Sequence, residues 1–133
     1  MDKYSNTRLL DVFFTGPIQI AISYYIKNRF LKLFMFITGY LNILYNGNNY
    51  LLLDLGVIDK SFIGFMDKYF VSNQGKTQFH RIYNLVIMYP IFFYIWKYEN
   101  DIPKVLKDVL IFDIVLGFLY NLHNLIQIGL LMK

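Results

Sequence analysis

Two short sets of residues carry the side chains whose type and spacing could do chemistry. One set is spaced four, four and three residues apart and consists of Asp113, Gly117, Asn121 and Asn124. The other is spaced three, four and three and consists of Gly39, Asn42, Asn46 and Asn49. Residues three or four apart lie on the same side of an α-helix. Each set therefore predicts one polar helix face containing a glycine.

These faces have two chemical interpretations. In an apolar environment an unpartnered polar group costs several kcal/mol, so two such faces would satisfy each other, with the glycines allowing close approach. We expect this interhelical polar packing. The alternative is a polar path or small-ligand site between the two helices. An ionisable group within an apolar segment also makes Asp113 a candidate proton or ion relay.

The sequence does not favour enzymatic or nucleic-acid-binding chemistry. It has no cysteine and only two histidines, His80 and His123, without a matching cluster of carboxylates. Neither a Ser-His-Asp order nor a phosphate-binding glycine loop is present. The net charge of +4 comes without a continuous basic stripe. We therefore expect no catalysis, cofactor, metal or nucleic-acid partner, and we identify no small-molecule substrate.

Composition indicates a small membrane protein. Hydrophobic residues make up 56% of the 133 residues and charged residues 17%, against roughly 45–50% and about 25% in soluble domains. A chain of this length holds one domain at most.

An internal repeat sets the expected architecture. The segment Gly39 to Asn46 is echoed by Gly117 to Asn124, and Pro17-Ile18 upstream of the first is echoed by Pro90-Ile91. We predict an all-α polytopic membrane bundle of about four apolar helices, arranged as two tandem helical hairpins plus an amphipathic interfacial helix. The hairpins would cover residues 1–53 and 82–133, with a polar connector at 54–81.

The apolar segments differ in length. Residues 12–26 and 82–96 are uncharged over about 22 Å of helix each, which is short of the ~30 Å hydrocarbon core. Residues 33–53 are long enough, but Asn46-Gly47-Asn48-Asn49 predicts a break. We expect a kink at Pro90 and a last helix with Asp101 as N-cap and Pro103 in its first turn. The best span is 114–132.

Two groups of residues are expected at the membrane surface. One apolar face in the connector, at helical spacing, would meet a membrane surface, a protein partner or this protein's own bundle, and consists of Phe62, Phe65, Met66, Tyr69 and Phe70. Interfacial anchors are expected at Arg81, Trp96 and Lys97, because tryptophan and long basic side chains favour the boundary between hydrocarbon and water.

Three stretches carry a resemblance to a known class of proteins: residues 10–17, residues 44–50 and the echo that begins at Gly117. The chain resembles small multi-span membrane proteins of nucleocytoplasmic large DNA viruses. The resemblance implies a virion inner-membrane protein that ties the membrane to the minor capsid layer, with capsid or other membrane proteins as partners. It implies no catalytic residues.

The leading hypothesis is therefore a structural integral membrane protein that anchors a viral membrane by protein-protein packing. A small transporter or channel subunit, with an Asn/Asp path between the repeats, is the alternative. A third possibility is a soluble helical protein whose apolar faces are covered in a large assembly.

Overall fold

The computed structural model describes residues 5–57 and 81–129, and this part of the chain forms four helices and no strand. The expected all-helical fold is confirmed for these residues. The apolar face predicted between Phe62 and Phe70 lies outside the described residues.

The first hairpin consists of α1 and α2. α1 is α-helical over Ser5–Leu10 and Gly16–Ser23, with a π-helical stretch at Asp11–Thr15 between them. α2 is α-helical over Arg29–Asn49 and continues as a π-helix over Tyr50–Asp54.

The second hairpin consists of α3 and α4. α3 is π-helical over Asn84–Met88 and α-helical over Tyr89–Tyr98. α4 is α-helical over Lys104–Asn124 and π-helical over Leu125–Gly129. In α3 the proline expected to kink the helix, Pro90, lies two residues after Met88, where the π-helical stretch ends. A proline removes one backbone donor, and a wider turn beside it accommodates the ring.

The turn between α1 and α2 is built from local polar contacts. The Asn28 carboxamide accepts hydrogen bonds from the backbone N–H groups of Phe30 (3.0 Å) and Leu31 (3.1 Å). These are donors that the start of a helix would otherwise leave unsatisfied. The polar residues that follow Ile26 therefore form a short turn between the two helices.

The predicted break at residues 46–49 is wrong, because α2 passes through these positions without interruption. The Asn46 amide donates to the Asn42 carbonyl (2.9 Å) and to the Asn42 side chain (2.6 Å). Those bonds lie along the helix and do not compete with it. α2 ends later, at Asp54, and the positive φ of Gly56 (64°) lets the Val57 N–H reach back to the Leu51 carbonyl at 3.1 Å.

The start of α4 also differs from the expectation. Pro103 is the N-cap residue and supplies no side-chain cap. Asp101 lies in the preceding loop, where its carboxylate pairs with the Lys27 ammonium at 3.0 Å. Asp101 therefore links the two hairpin turns through an ion pair and does not cap α4.

The buried apolar core lies towards the hairpin turns. It joins residues of all four helices and of the two turns: Ile22, Ile26, Met35, Tyr89, Phe92, Ile95, Ile102, Leu110 and Ile114. Phe34 packs edge-on against Phe92, with ring centroids 6.1 Å apart, and so connects α2 to α3. This core holds the two hairpins together at one end.

The outer surface is strongly apolar. Large hydrophobic side chains are exposed on every helix, among them Phe13 (76%), Phe30 (82%), Val86 (67%) and Phe112 (65%). In the described residues, α4 is the one helix long and apolar enough to cross a membrane, over Lys104–Gln127. The sequence predicts about four such helices, and the structure supports one by this criterion.

Candidate functional site

The glycine on the polar face of α2 makes the closest backbone approach between α1 and α2. A Cβ placed on Gly39 would lie 2.9 Å from the Gly16 carbonyl oxygen and 3.0 Å from the Gln19 Cβ. In return, a Cβ on Gly16 would lie 3.1 Å from the Gly39 carbonyl oxygen. Two glycines facing each other let the helix backbones touch. This crossing positions the polar residues of α1.

The matching glycine of α4 receives a tyrosine from α3. A Cβ on Gly117 would clash with the Tyr89 hydroxyl oxygen and would lie 2.5 Å from its ring carbon Cζ. The Tyr89 side chain is buried, and its ring packs edge-on against Phe92 at 6.1 Å. Gly117 is therefore the floor of a pocket that the tyrosine fills.

Replacing Gly117 with alanine should lower the free energy of unfolding by about 1–3 kcal/mol, because the new methyl group overpacks this contact. Replacing Tyr89 with phenylalanine removes the nearest clashing atom, so the double variant should recover part of the loss. Reversible unfolding in mixed micelles measures both. If the effects of the two substitutions on the free energy of unfolding are additive, the contact with Tyr89 is not the reason why Gly117→Ala destabilises the protein.

Two acidic residues lie in the interior beside this tyrosine. Asp11 is half-buried in the π-helical stretch of α1, and one carboxylate oxygen accepts a hydrogen bond from the Thr15 hydroxyl at 2.7 Å. Asp113 of α4 is also half-buried, and it is hydrogen-bonded by the side chain of Gln19 of α1. The charges of Asp11 and Asp113 act on each other and on the Tyr89 hydroxyl. α1, α3 and α4 thus meet in one polar cluster.

Gln19 is the most buried polar member of this cluster. Its side chain is 3% exposed, and its Oε1 atom has no hydrogen-bond partner among the described residues. Its amide nitrogen is the atom that can donate to Asp113. The hydrogen-bonding capacity of Gln19 is therefore met at its amide nitrogen and, within the described residues, not at its amide oxygen. The same interior contains the two carboxylates of Asp11 and Asp113.

Amide side chains continue the polar interior away from the turns. The Asn121 amide donates to the Gly117 carbonyl at 2.7 Å, and its oxygen accepts from the Asn84 amide of α3 at 3.2 Å. Asn124, one turn further along α4, is buried, and its Nδ2 has no partner among the described residues. Asn121 thus ties α4 to α3, its partner within the hairpin.

The expected pairing of the α2 face with the α4 face is wrong for the residues whose partners are described. Gly39 packs on α1, and Asn46 bonds to Asn42 of its own helix. Gly117 and Asn121 contact α3. Each face turns to the neighbour within its own hairpin, because the short turns bring consecutive helices together first. Asp113 is the exception, since Gln19 belongs to the other hairpin.

The three residues predicted as interfacial anchors differ in how far they are buried. Arg81 is 5% exposed and interacts electrostatically with Tyr45 of α2. Its role as an interfacial anchor stays a prediction, because burial among other side chains does not tell where Arg81 lies relative to a membrane. Lys97 is exposed, with its ammonium 5.4 Å from the Tyr98 ring centroid, and Trp96 is half-buried with its ring 5.6 Å from that of Phe93.

A residue that sequence reasoning missed makes a hydrogen-bonded link between the hairpins. Glu99 is 9% exposed, and its two carboxylate oxygens accept hydrogen bonds from the backbone N–H groups of Lys27 (3.1 Å) and Asn28 (3.2 Å). Next to it lies the surface pair of Lys27 and Asp101. We call this contact the turn clasp.

Four further members of the site were not singled out from the sequence: Gly16, Gln19, Asn84 and Tyr89. A repeated glycine is visible as a pattern, but its partner on another helix is not. Asp11 could have been found, since it is a lone acid at the start of an apolar run.

In the described residues, no group of three or more histidine, aspartate or glutamate side chains could hold a metal ion. The acidic pair comprises two carboxylates from different helices. Comparisons with protein-family models, with curated proteins and with solved structures gave no match to this chain.

Proposed function

We propose that this protein is a structural integral membrane protein whose helices pack as two hairpins in a lipid bilayer. The observation that carries the proposal is the exposure of α4. Only 17% of its most apolar window is buried within the protein. A core helix of a water-soluble protein of this apolarity would be covered by its neighbours. α4 instead presents its apolar surface outwards.

The exposed side chains of the other helices also favour a lipid environment. Their exposed side chains include Phe13 on α1, Phe30 on α2 and Val86 on α3. A monomeric soluble protein rarely exposes contiguous apolar surface on this scale. The interior, by contrast, holds carboxylates, amides and arginines with partners. An apolar exterior, with polar side chains turned into the interior beside the apolar core, suits a bundle surrounded by hydrocarbon.

Introducing a charge in the middle of α4 tests whether its exposed surface faces lipid or water. Leu116 is 51% exposed, and we expect Leu116→Arg to move the protein from the membrane pellet to the supernatant after alkaline carbonate extraction, because a charge at the centre of a span opposes insertion. Val105, beside Lys104 at the helix start, is 73% exposed, so Val105→Arg should stay in the pellet.

If the surface met water, both arginine variants would behave alike, since both side chains are exposed. Equal extraction of the two variants would therefore contradict the membrane proposal. Extraction of the unmodified protein would contradict it as well.

The biological setting follows from the resemblance and belongs to the same proposal. We infer that the protein is a virion inner-membrane component that anchors the membrane to the capsid layer by contacts with capsid or other membrane proteins. Purified particles provide the test. The chain should copurify with the inner membrane after the outer capsid layer is stripped, and its absence from the particles would refute this setting.

A further inference from the structure

Two open apolar cavities lie between α2 and α3. One, of about 440 Å³, is formed mainly by α3, with Val86, Pro90 and Tyr94 in its wall, and is bordered by Leu31 of α2. The other, of about 300 Å³, is formed mainly by α2 and is bordered by Tyr83 of α3. Each cavity thus takes one wall from one helix and its border from the other.

The two cavities are parts of one groove, which we call the α2–α3 groove. Tyr83 of the second cavity stands three residues before Val86 of the first, so both lie on the same face of α3. On α2 the lining residues recur at helical spacing from Phe30 through Ile37 to Leu41. This run covers about 16 Å at 1.5 Å per residue. The hydrocarbon core of a bilayer is about 30 Å thick, so the groove matches the depth of one leaflet.

A cationic side chain stands on each wall at the end of the groove nearest the hairpin turns. Arg29 begins α2 and lies four residues before Leu33, which lines the second cavity. Lys97 lies three residues after Tyr94, in the wall of the first cavity. Residues three or four apart share a helix face. Both cations are exposed, and among the residues that the structure describes neither takes part in an ion pair.

Aromatic side chains lie at the same end of the groove. Tyr94 and Tyr98 are exposed, with ring centroids 4.6 Å apart, and the Lys97 ammonium lies 5.4 Å from the centroid of the Tyr98 ring. Tyrosine and basic side chains concentrate where hydrocarbon meets lipid headgroups. In the bilayer proposed above, the cationic end of the groove is therefore at the headgroup level, and its apolar length is in hydrocarbon.

We propose that the α2–α3 groove binds one anionic phospholipid, with an acyl chain along the groove and the phosphate between Arg29 and Lys97. A volume of about 300 Å³ spread over about 16 Å leaves a cross-section of about 20 Å², which suits one hydrocarbon chain and not a helix about 10 Å across. This inference rests on the membrane proposal and adds which lipid the protein prefers.

The charge of the two side chains determines the headgroup. Arginine and lysine both donate charge-assisted hydrogen bonds to phosphate oxygens. The choline group of a zwitterionic lipid would bring a third cation beside Arg29 and Lys97, which repel it. A headgroup with net negative charge has no such cost, so the groove selects anionic over zwitterionic lipid.

Native mass spectrometry of the full chain in detergent counts bound lipids directly. One molecule of dioleoylphosphatidylglycerol should stay bound at concentrations at which dioleoylphosphatidylcholine does not. Each cation near an anionic headgroup contributes about fivefold in affinity, so the double variant Arg29→Gln/Lys97→Gln should bind the anionic lipid about 25-fold more weakly. Equal binding of the two lipids by the unmodified protein would overturn the proposal.

Lys104→Gln is the matched control, because it removes an exposed cation from the start of α4, a helix that lines neither cavity. It should bind the anionic lipid as the unmodified protein does. An equal loss in this variant and in the double variant would show that overall charge, and not the groove, attracts the lipid.

Two further measurements test the acyl chain. Ile87 lines the first cavity and is 43% exposed, so Ile87→Trp should fill the groove without changing charge and weaken binding by about tenfold. Unchanged affinity would refute an acyl chain in the groove. Glycerol 3-phosphate should leave the lipid bound, and displacement by it would show a site for the anion alone.

The lipid count and the alkaline extraction separate the two proposals. A protein that stays in the membrane pellet but binds both lipids equally refutes the anionic-lipid site and leaves the membrane proposal standing. A protein that is extracted into the supernatant refutes both, because the site needs a headgroup level at the hairpin turns.

Discussion

Replacing Gly39 with valine should separate α1 from α2 and lower the free energy of unfolding by about 3 kcal/mol. The first added carbon already lies 2.9 Å from the Gly16 carbonyl oxygen and 3.0 Å from both Gln19 Cβ and Ile20 Cγ1. One of these atoms belongs to the backbone and cannot turn aside, so the helices must move apart. Reversible unfolding in mixed micelles, followed by circular dichroism, measures the loss.

The same helix provides the control for this variant. Among the residues that the structure describes, a Cβ on Gly47 would find only Val12 Cγ2 within 4 Å, at an ordinary contact distance of 3.7 Å. Gly47→Ala should therefore leave stability unchanged or raise it by up to about 1 kcal/mol through helix propensity. If Gly39→Val were as stable as the unmodified protein, the close crossing of α1 and α2 would be refuted.

Truncating Glu99 to alanine should open the turn clasp and cost about 2–3 kcal/mol of stability, since both carboxylate oxygens accept backbone hydrogen bonds from the α1–α2 turn. A hydrogen bond to a charged group contributes more than a neutral one. The variant leaves the N–H groups of Lys27 and Asn28 without this acceptor. Glu99→Gln, which keeps one acceptor oxygen, should lose less. Reversible unfolding in mixed micelles measures both losses.

Asp101→Asn separates the buried clasp from the surface charge beside it. The Lys27–Asp101 pair is 77% and 50% exposed, and exposed pairs of this kind contribute up to about 1 kcal/mol. We expect a small effect that vanishes at high salt. Equal losses of stability in Glu99→Ala and Asp101→Asn would show that the overall charge near the hairpin turns, and not the turn clasp, holds the hairpins together.

The repeat explains why much of the helix order could be predicted. Period and composition are local properties, so the apolar runs around Ile22, Gly39, Phe92 and Gly117 mark the four helices directly. The turn at Asn28 was also predictable, because a side-chain cap acts on donors two and three residues away.

The predicted break at Asn46 failed for a reason that local propensity does not contain. Asparagine favours turns when its side chain competes for the backbone. Here the Asn46 amide bonds one helical turn back, to Asn42, and the helix continues. A turn signal is thus overridden when the side chain finds a partner along the helix.

By itself, the sequence determined that the described chain is helical, that its polar and glycine positions share helix faces, and that Asp113 is an unusual acid in an apolar segment. Only the tertiary structure decided which helix each face meets. Gly39 packs on Gly16, Gly117 on Tyr89, and Asp113 reaches Gln19 across the hairpins. The physical reason is that helix formation follows from spacing along the chain, whereas partners depend on turn lengths, on close backbone contacts and on long-range bonds such as those of Glu99, which no local pattern encodes.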